Sequence, residues 1–147
     1  MARFYETRFG VYFDDLDMFG ILHNARYLLF VERALGEFWT TIGLGPFASE
    51  AHPDHQHLVR ANHIEYDRPM VGVGEVRVRI QARKIGRTSL IMGFKVMPRD
   101  EDLPLAQGWR VLVRIDPATR ATLPWSDQLR ALVTPYLDPN GGPDLPA

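Results

Sequence analysis

Three acids and a glycine stand just ahead of a helix-forming run: Asp14, Asp15 and Asp17, then Gly20, then His23-Asn24-Ala25-Arg26-Tyr27-Leu28. A carboxylate in such a loop can act as general base toward water, or can itself attack a carbonyl carbon. The first N–H groups of the helix that follows have no intrahelical acceptor, and the helix dipole favours negative charge at that end. Asn24, at the helix start, would turn its backbone N–H toward a carbonyl oxygen as an oxyanion donor. Its side chain also suits an N-cap, and the two uses are compatible. Asp17 has a second reading, as a turn aspartate bonding nearby backbone N–H groups. Asp14 and Asp15 read as turn or structural acids. Gly20 lets the loop bend sharply before the helix. No Gly-x-Ser-x-Gly elbow occurs, and there is no cysteine, which excludes a cysteine nucleophile, disulfides and thiolate zinc sites.

The element that must hold these groups is a helix. At about 100° per residue, Leu28, Val31, Leu35, Phe38 and Ile42 fall in one stripe roughly 80° wide, with Arg26, Arg33, Glu37 and Thr40 opposite. Gly43 stands where a left-handed C-terminal residue belongs, and Pro46 follows. Leu29 and Phe30 interrupt the polar face, so cover on that side is expected too. Gly36 costs the helix about 1 kcal/mol relative to Ala.

Strands account for most of the rest. Phe9, Val11 and Phe13 alternate, and a short strand is expected from Leu58 to Tyr66. From Glu75, Val76, Val78, Ile80 and Ala82 face one way and Arg77, Arg79, Gln81 and Arg83 the other, a strand with one wet face. Leu90, Met92, Phe94 and Val96 alternate next, then Trp109, Val111, Val113 and Ile115. Ser126 can cap a short helix through Val133. Residues 135–147 are rich in Pro and Gly and are expected to be a mobile tail after a domain at 1–134. One long helix with hairpin-linked strands reads as α+β with an antiparallel sheet wrapped around the helix.

Three further groups carry weaker signals. His52, Asp54, His55 and His57 lie close together, but without regular ligand spacing; a loop near a pocket mouth is preferred to a metal site, so no metal is expected. Glu32 is expected to bond to the sheet. Lys84, Arg87, Thr88 and Ser89 form a basic turn around Gly86, suited to phosphates or simply to solvent. The formal net charge of −1 over 147 residues argues against bulk nucleic-acid binding. No apolar run reaches the ~18 residues of a membrane span, and no signal-peptide pattern opens the chain, so a cytoplasmic protein with no membrane partner is expected.

The run Asp15-x-Asp17-x-x-Gly20, followed by His23-Asn24-Ala25-Arg26-Tyr27-Leu28-x-Phe30-x-Glu32-Arg33-Ala34, resembles the hotdog-fold acyl-CoA thioesterases of the 4-hydroxybenzoyl-CoA thioesterase type. Arg60 to Pro69, Gly86-Arg87-Thr88-Ser89-Leu90 and Val113 to Asp116 are similar to that family as well. The likeness covers residues 5–135. It implies the hotdog fold and a homodimer, possible also as a homotetramer, with sheets continuous across the interface. It implies hydrolysis of a small aromatic or short-to-medium acyl-CoA with no cofactor, coenzyme A being part of the substrate. Asp17, second acid of the pair, would be base or nucleophile, and Gly20, Ile21, His23 and the basic turn would touch substrate. Some members carry His directly after the glycine; here Ile21 takes that place and the imidazole is His23. Alternatives are a carrier-protein thioesterase and a non-catalytic acyl-CoA-binding module. A hydratase is weaker, because no Asp-x-x-x-x-His pairing surrounds the acidic loop.

Overall fold

The computed structural model describes residues 2–44, 54 and 56–146. A long helix, α1 (Asn24–Thr41), lies across a five-stranded sheet built from β1 (Tyr5–Val11), β2 (His57–Tyr66), β3 (Gly74–Ile85), β4 (Ser89–Pro98) and β5 (Ala106–Arg114). The order is β1-β3-β4-β5-β2 and every pairing is antiparallel. A short helix, α2 (Asp127–Val133), follows, with Ser126 Oγ accepting from Leu129 N as its cap. This is the α+β hotdog arrangement, with the sheet as bun and α1 as filling. No described helix is long and apolar enough to cross a membrane.

The helix is held by its apolar face, though in a different phase from the one expected. Tyr27, Phe30, Val31, Ala34, Leu35, Phe38 and Trp39 are buried, while Leu28 and Ile42 are only partly so. Phe30 stacks on Phe9 of β1 at 5.6 Å between ring centroids, and Phe38 meets Tyr5 and Tyr136. Full burial of each such ring contributes about 1.5–3 kcal/mol, well above the helix penalty of Gly36. Gly43 takes a positive φ of 104° just past the helix, as its position predicts.

The inner face of the sheet follows from the register. Ile80, Phe94, Gly108 and Ile64 stand side by side, as do Ala82, Met92, Arg110 and Asn62. On β5 the helix-facing set is therefore Ala106, Gly108, Arg110 and Leu112. The apolar alternation Trp109, Val111, Val113 points to the other face. Trp109 is nonetheless only 9% exposed, because the C-terminal segment lies on it.

Residues 135–146, expected to be a mobile tail, start against the core, where Tyr136 meets Phe38, and continue past the edge of β3 onto its outer side. Leu137 bridges Ala82 in parallel, and Asp138 N donates to Ala82 O at 2.7 Å. Arg83, 3% exposed, donates to the carbonyl oxygens of Pro139 (3.0 Å) and Pro143 (2.9 Å), while Trp109 Nε1 donates to Asp144 O at 3.3 Å. The wet face of β3 is thus partly dry. Arg77 is buried too, donating to Pro98 O at 3.0 Å and to Asp102 at 2.7 Å, with Glu6 at 3.2 Å.

Candidate active site

The acidic loop is a compact turn closed by its own backbone. Asp17 N donates to Ile21 O at 2.7 Å, and Gly20 N to Asp17 O at 3.0 Å. Gly20 has φ +75°, a conformation that L side chains rarely adopt, so glycine is needed there. A second loop backs it: Gly72 N donates to Gly20 O, and Leu22 N to Met70 O.

Within this turn the Asp17 carboxylate is pinned by one oxygen. Oδ1 accepts from Phe19 N (2.8 Å) and Ile21 N (3.1 Å), the pattern of a turn aspartate. Oδ2 takes no hydrogen bond among the described residues. One oxygen fixes the geometry and the other is without a hydrogen bond among the described residues, so the turn reading of Asp17 does not use up its carboxylate. Asp15, by contrast, is committed, with Oδ2 accepting from Tyr12 N at 2.9 Å and Oδ1 lying 3.6 Å from Arg26.

The helix start differs from expectation in one respect. The N-cap is His23 and not Asn24: His23 Nδ1 accepts from Ala25 N at 3.1 Å. An accepting Nδ1 places the neutral ring's proton on Nε2. Asn24 becomes the first helical residue, and its backbone N–H has no partner among the described residues. An uncapped N–H at a helix N-terminus is what oxyanion stabilisation needs.

Asp17, Ile21, Leu22, His23 and Asn24 line one open cavity of about 330 Å³. Tyr27, Tyr66, Arg68 and Pro69 complete its wall. Phe19, in the turn between Asp17 and Gly20, is 77% exposed and is not part of this wall. Tyr66 Oη donates to Asn24 O at 3.2 Å and its ring meets Tyr27 edge-on at 5.3 Å, so β2 is tied to the helix start. Burial raises both phenol pKa values above the ordinary one, so both stay protonated at neutral pH. Arg68 is drawn away by the β4–β5 loop, donating to Pro104 O at 3.4 Å and to Glu101 at 3.3 Å. None of Tyr27, Tyr66 and Arg68 was assigned to the site from sequence, although Tyr66 and Arg68 lie within the Arg60–Pro69 motif.

The basic turn lies elsewhere in the chain. Lys84 to Ser89 sits at the far end of β3, about 36 Å along the strand from Gly74 at roughly 3.3 Å per residue. There Gly86 N donates to Ser89 O, and Arg130 of α2 donates to Gly86 O at 2.7 Å. Within one chain it does not meet the Asp17–Asn24 cavity. Of the histidine cluster, His52 and His55 lie outside the described residues. Asp54 is fully buried, accepting from Ser126 N at 2.8 Å and from Ser126 Oγ, and His57 Nδ1 donates to Asp54 O at 3.2 Å. Among the described residues no group of three or more His, Asp or Glu is arranged to hold a metal. Glu32 bonds to the sheet as expected, through Arg110.

A family profile described as the thioesterase-like superfamily matches residues 11–133. No curated protein matches the sequence. Among solved structures, a Thermus thermophilus thioesterase complexed with coenzyme A and Zn is similar at 27% identity and a TM-score of 0.72, over 87% of this chain and 90% of that one. A predicted thioesterase from Bacillus stearothermophilus superposes with a TM-score of 0.81 at 18% identity, over 95% of this chain and all of that one (100%).

Proposed function

Since the chain belongs to the thioesterase-like superfamily, with thioester hydrolysis as its chemistry, we propose that it cleaves an acyl-CoA at the Asp17–Asn24 cavity. The observation that carries this is a pairing in one cavity: a carboxylate held by Oδ1 with Oδ2 open, and an unpartnered helix N-terminal N–H. In the hydrolytic reading, Asp17 Oδ2 takes a proton from water as its oxygen attacks the thioester carbon. The developing oxyanion accepts from Asn24 N–H, and its collapse expels the thiolate of coenzyme A. In the covalent reading, Oδ2 attacks directly and water then cleaves the mixed anhydride. The open cavity and its Ile21, Leu22 and Tyr27 walls fit a small aromatic or short-to-medium acyl group, the range of the 4-hydroxybenzoyl-CoA type. The Thermus relative bound to coenzyme A supports coenzyme A over a carrier protein as the thiol.

In the same reading, a second copy of the chain would bring the basic turn to the cavity. β2 is an edge strand ten residues long, with Leu58 and Val59 56% and 47% exposed. Two-fold pairing of β2 edges is antiparallel and makes the sheet continuous. It sets the His57 end of the partner, with its Lys84–Ser89 turn, beside the Tyr66 end and Asn24. In such a homodimer the basic turn of one protomer serves the coenzyme A tail bound at the other. A hydrolysis screen over acyl-CoA thioesters tests the function. Turnover of a carrier-protein thioester alone would shift the assignment to that substrate class, and turnover of neither would leave an acyl-CoA-binding module.

A further inference from the structure

From β3 to β5 the helix-facing side chains are apolar except at Arg110 and at Arg114, which ends β5 at 3.6 Å from Asp54. Arg110 is 5% exposed. Its Nε donates to Asn62 Oδ1 at 2.7 Å and its Nη1 to the Glu32 carboxylate, whereas Nη2 donates to none of the described residues. A fold gains little from such a group: the Glu32 side chain is 59% exposed, so the pair is screened by solvent while the guanidinium alone carries the cost of burial. Arg110 lines a cavity of about 100 Å³ together with Glu32, Gly36, Trp39 and Val59. The helical position of Gly36 is thus explained, since it faces this space with no side chain.

This cavity and the Asp17–Asn24 cavity lie between the same two elements, α1 and β2. Asn24 and Tyr66 bound the first; Glu32 and Val59 bound the second. The helix-facing residues of β2 are only partly covered by α1: Val59 and Tyr66 are both 47% exposed, although the Tyr66 ring also meets Tyr27. Eight residues separate Asn24 from Glu32, about 12 Å along the helix. A decanoyl-length chain starting at the Asn24 N–H spans that distance.

We infer that the gap between α1 and β2 takes the acyl chain, and that Arg110 Nη2 selects chains carrying a hydroxyl or keto oxygen near their far end. The inference rests on the proposed thioesterase reading. Glu32 already neutralises the guanidinium, so a neutral acceptor fits Nη2, while a terminal carboxylate would face the Glu32 carboxylate. A plain alkyl chain would exclude water and leave Nη2 unpaired, and a site built to bond an oxygen rejects the analogue that lacks it.

The test measures binding of two hydrolysis-inert thioethers of coenzyme A, decyl and ω-hydroxydecyl, by calorimetry. The wild-type protein is expected to bind the hydroxylated analogue about 10-fold or more tightly. In the double variant Glu32→Gln with Arg110→Met, which leaves no lone buried charge, that ratio falls to about one. Thermal unfolding verifies that the variant is folded, and Asn62→Leu, which keeps the Arg110–Glu32 pair, is the second probe, expected to lower the ratio. Equal binding of the two analogues by the wild type, or a ratio that survives in the folded double variant, overturns the assignment. The readout does not depend on turnover; failure to hydrolyse any thioester would count against the proposed function alone.

Discussion

Replacing Asp17 separates what its two oxygens do. Asp17→Asn keeps a side-chain oxygen that can accept from Phe19 N and Ile21 N, the bonds made at 2.8 and 3.1 Å. It removes only the open, basic oxygen. Stability should therefore change by less than about 1 kcal/mol, while kcat falls by about 10²–10⁴-fold, the range for loss of a general base. Asp17→Ala removes the acceptor as well. Two backbone bonds at about 0.5–1.5 kcal/mol each put its destabilisation at about 1–3 kcal/mol, several degrees in Tm for a chain of this size. Both variants should thus be catalytically poor, but only the alanine variant should unfold early. The assay follows thiol release with saturating acyl-CoA, paired with thermal unfolding of each protein. An asparagine variant that is folded and retains kcat within a few-fold of wild type would refute the role of Oδ2. Equal Tm losses in the two variants would refute the division of labour between the oxygens.

Three other outcomes are expected. Lys84→Ala combined with Arg87→Ala should raise KM for acyl-CoA with little change in kcat, and should hardly affect an acyl-pantetheine that lacks the nucleotide; an equal loss on both substrates would assign the turn to the fold. Light scattering should give at least twice the mass of one chain, and a fully active monomer would contradict the shared site. The Asp102 carboxyl is held below its ordinary pKa of 3.8 by the bond from Arg77, so its contribution is present above the unfolded value and is lost as pH falls through the lower folded one. Asp102→Asn should accordingly flatten the fall of Tm below about pH 4. An unchanged acid limb in the variant would show that this pair has no part in it.

The parts legible in the sequence are those governed by local rules. The Gly20 turn, the amphipathic helix and its Gly43 stop all appear where their residue types require, and so does the Asp17 turn with its backbone bonds. Errors arose where distant chain decides. His23 caps the helix although Asn24 also has a capping side chain, because loop pairing, with His23 N donating to Asp15 O, fixes where the first turn begins. The cover expected on the Phe30 side is present, and it turns the buried stripe toward Phe30 and Ala34 and away from Leu28 and Ile42. On β5 the apolar alternation marks the strand, and it does not tell which face is inward. Trp109 is covered by residues some 35 positions later, and the inward place of Arg110 is visible only once the register with Met92 and Asn62 is known. Tyr66 joins the cavity through a bond to Asn24, 42 residues away in the chain.

The anchoring of the C-terminal segment has a consequence for how freely that segment can vary. Arg83 grips main-chain oxygens, those of Pro139, Gly142 and Pro143, and Trp109 Nε1 likewise reaches the main chain of Asp144. Every peptide carries such oxygens, so the clasp itself reads the path of the chain; side chains enter at Gly142, where a Cβ would stand 2.8 Å from Arg83 Nη1, and at Asp138 and Asp144, whose charges favour the guanidinium. Substitutions between those points that preserve the bend should be tolerated, whereas removing the chain from Pro139 onward strips a buried guanidinium of its acceptors. The segment is constrained in length and shape, with latitude in the letters between those points.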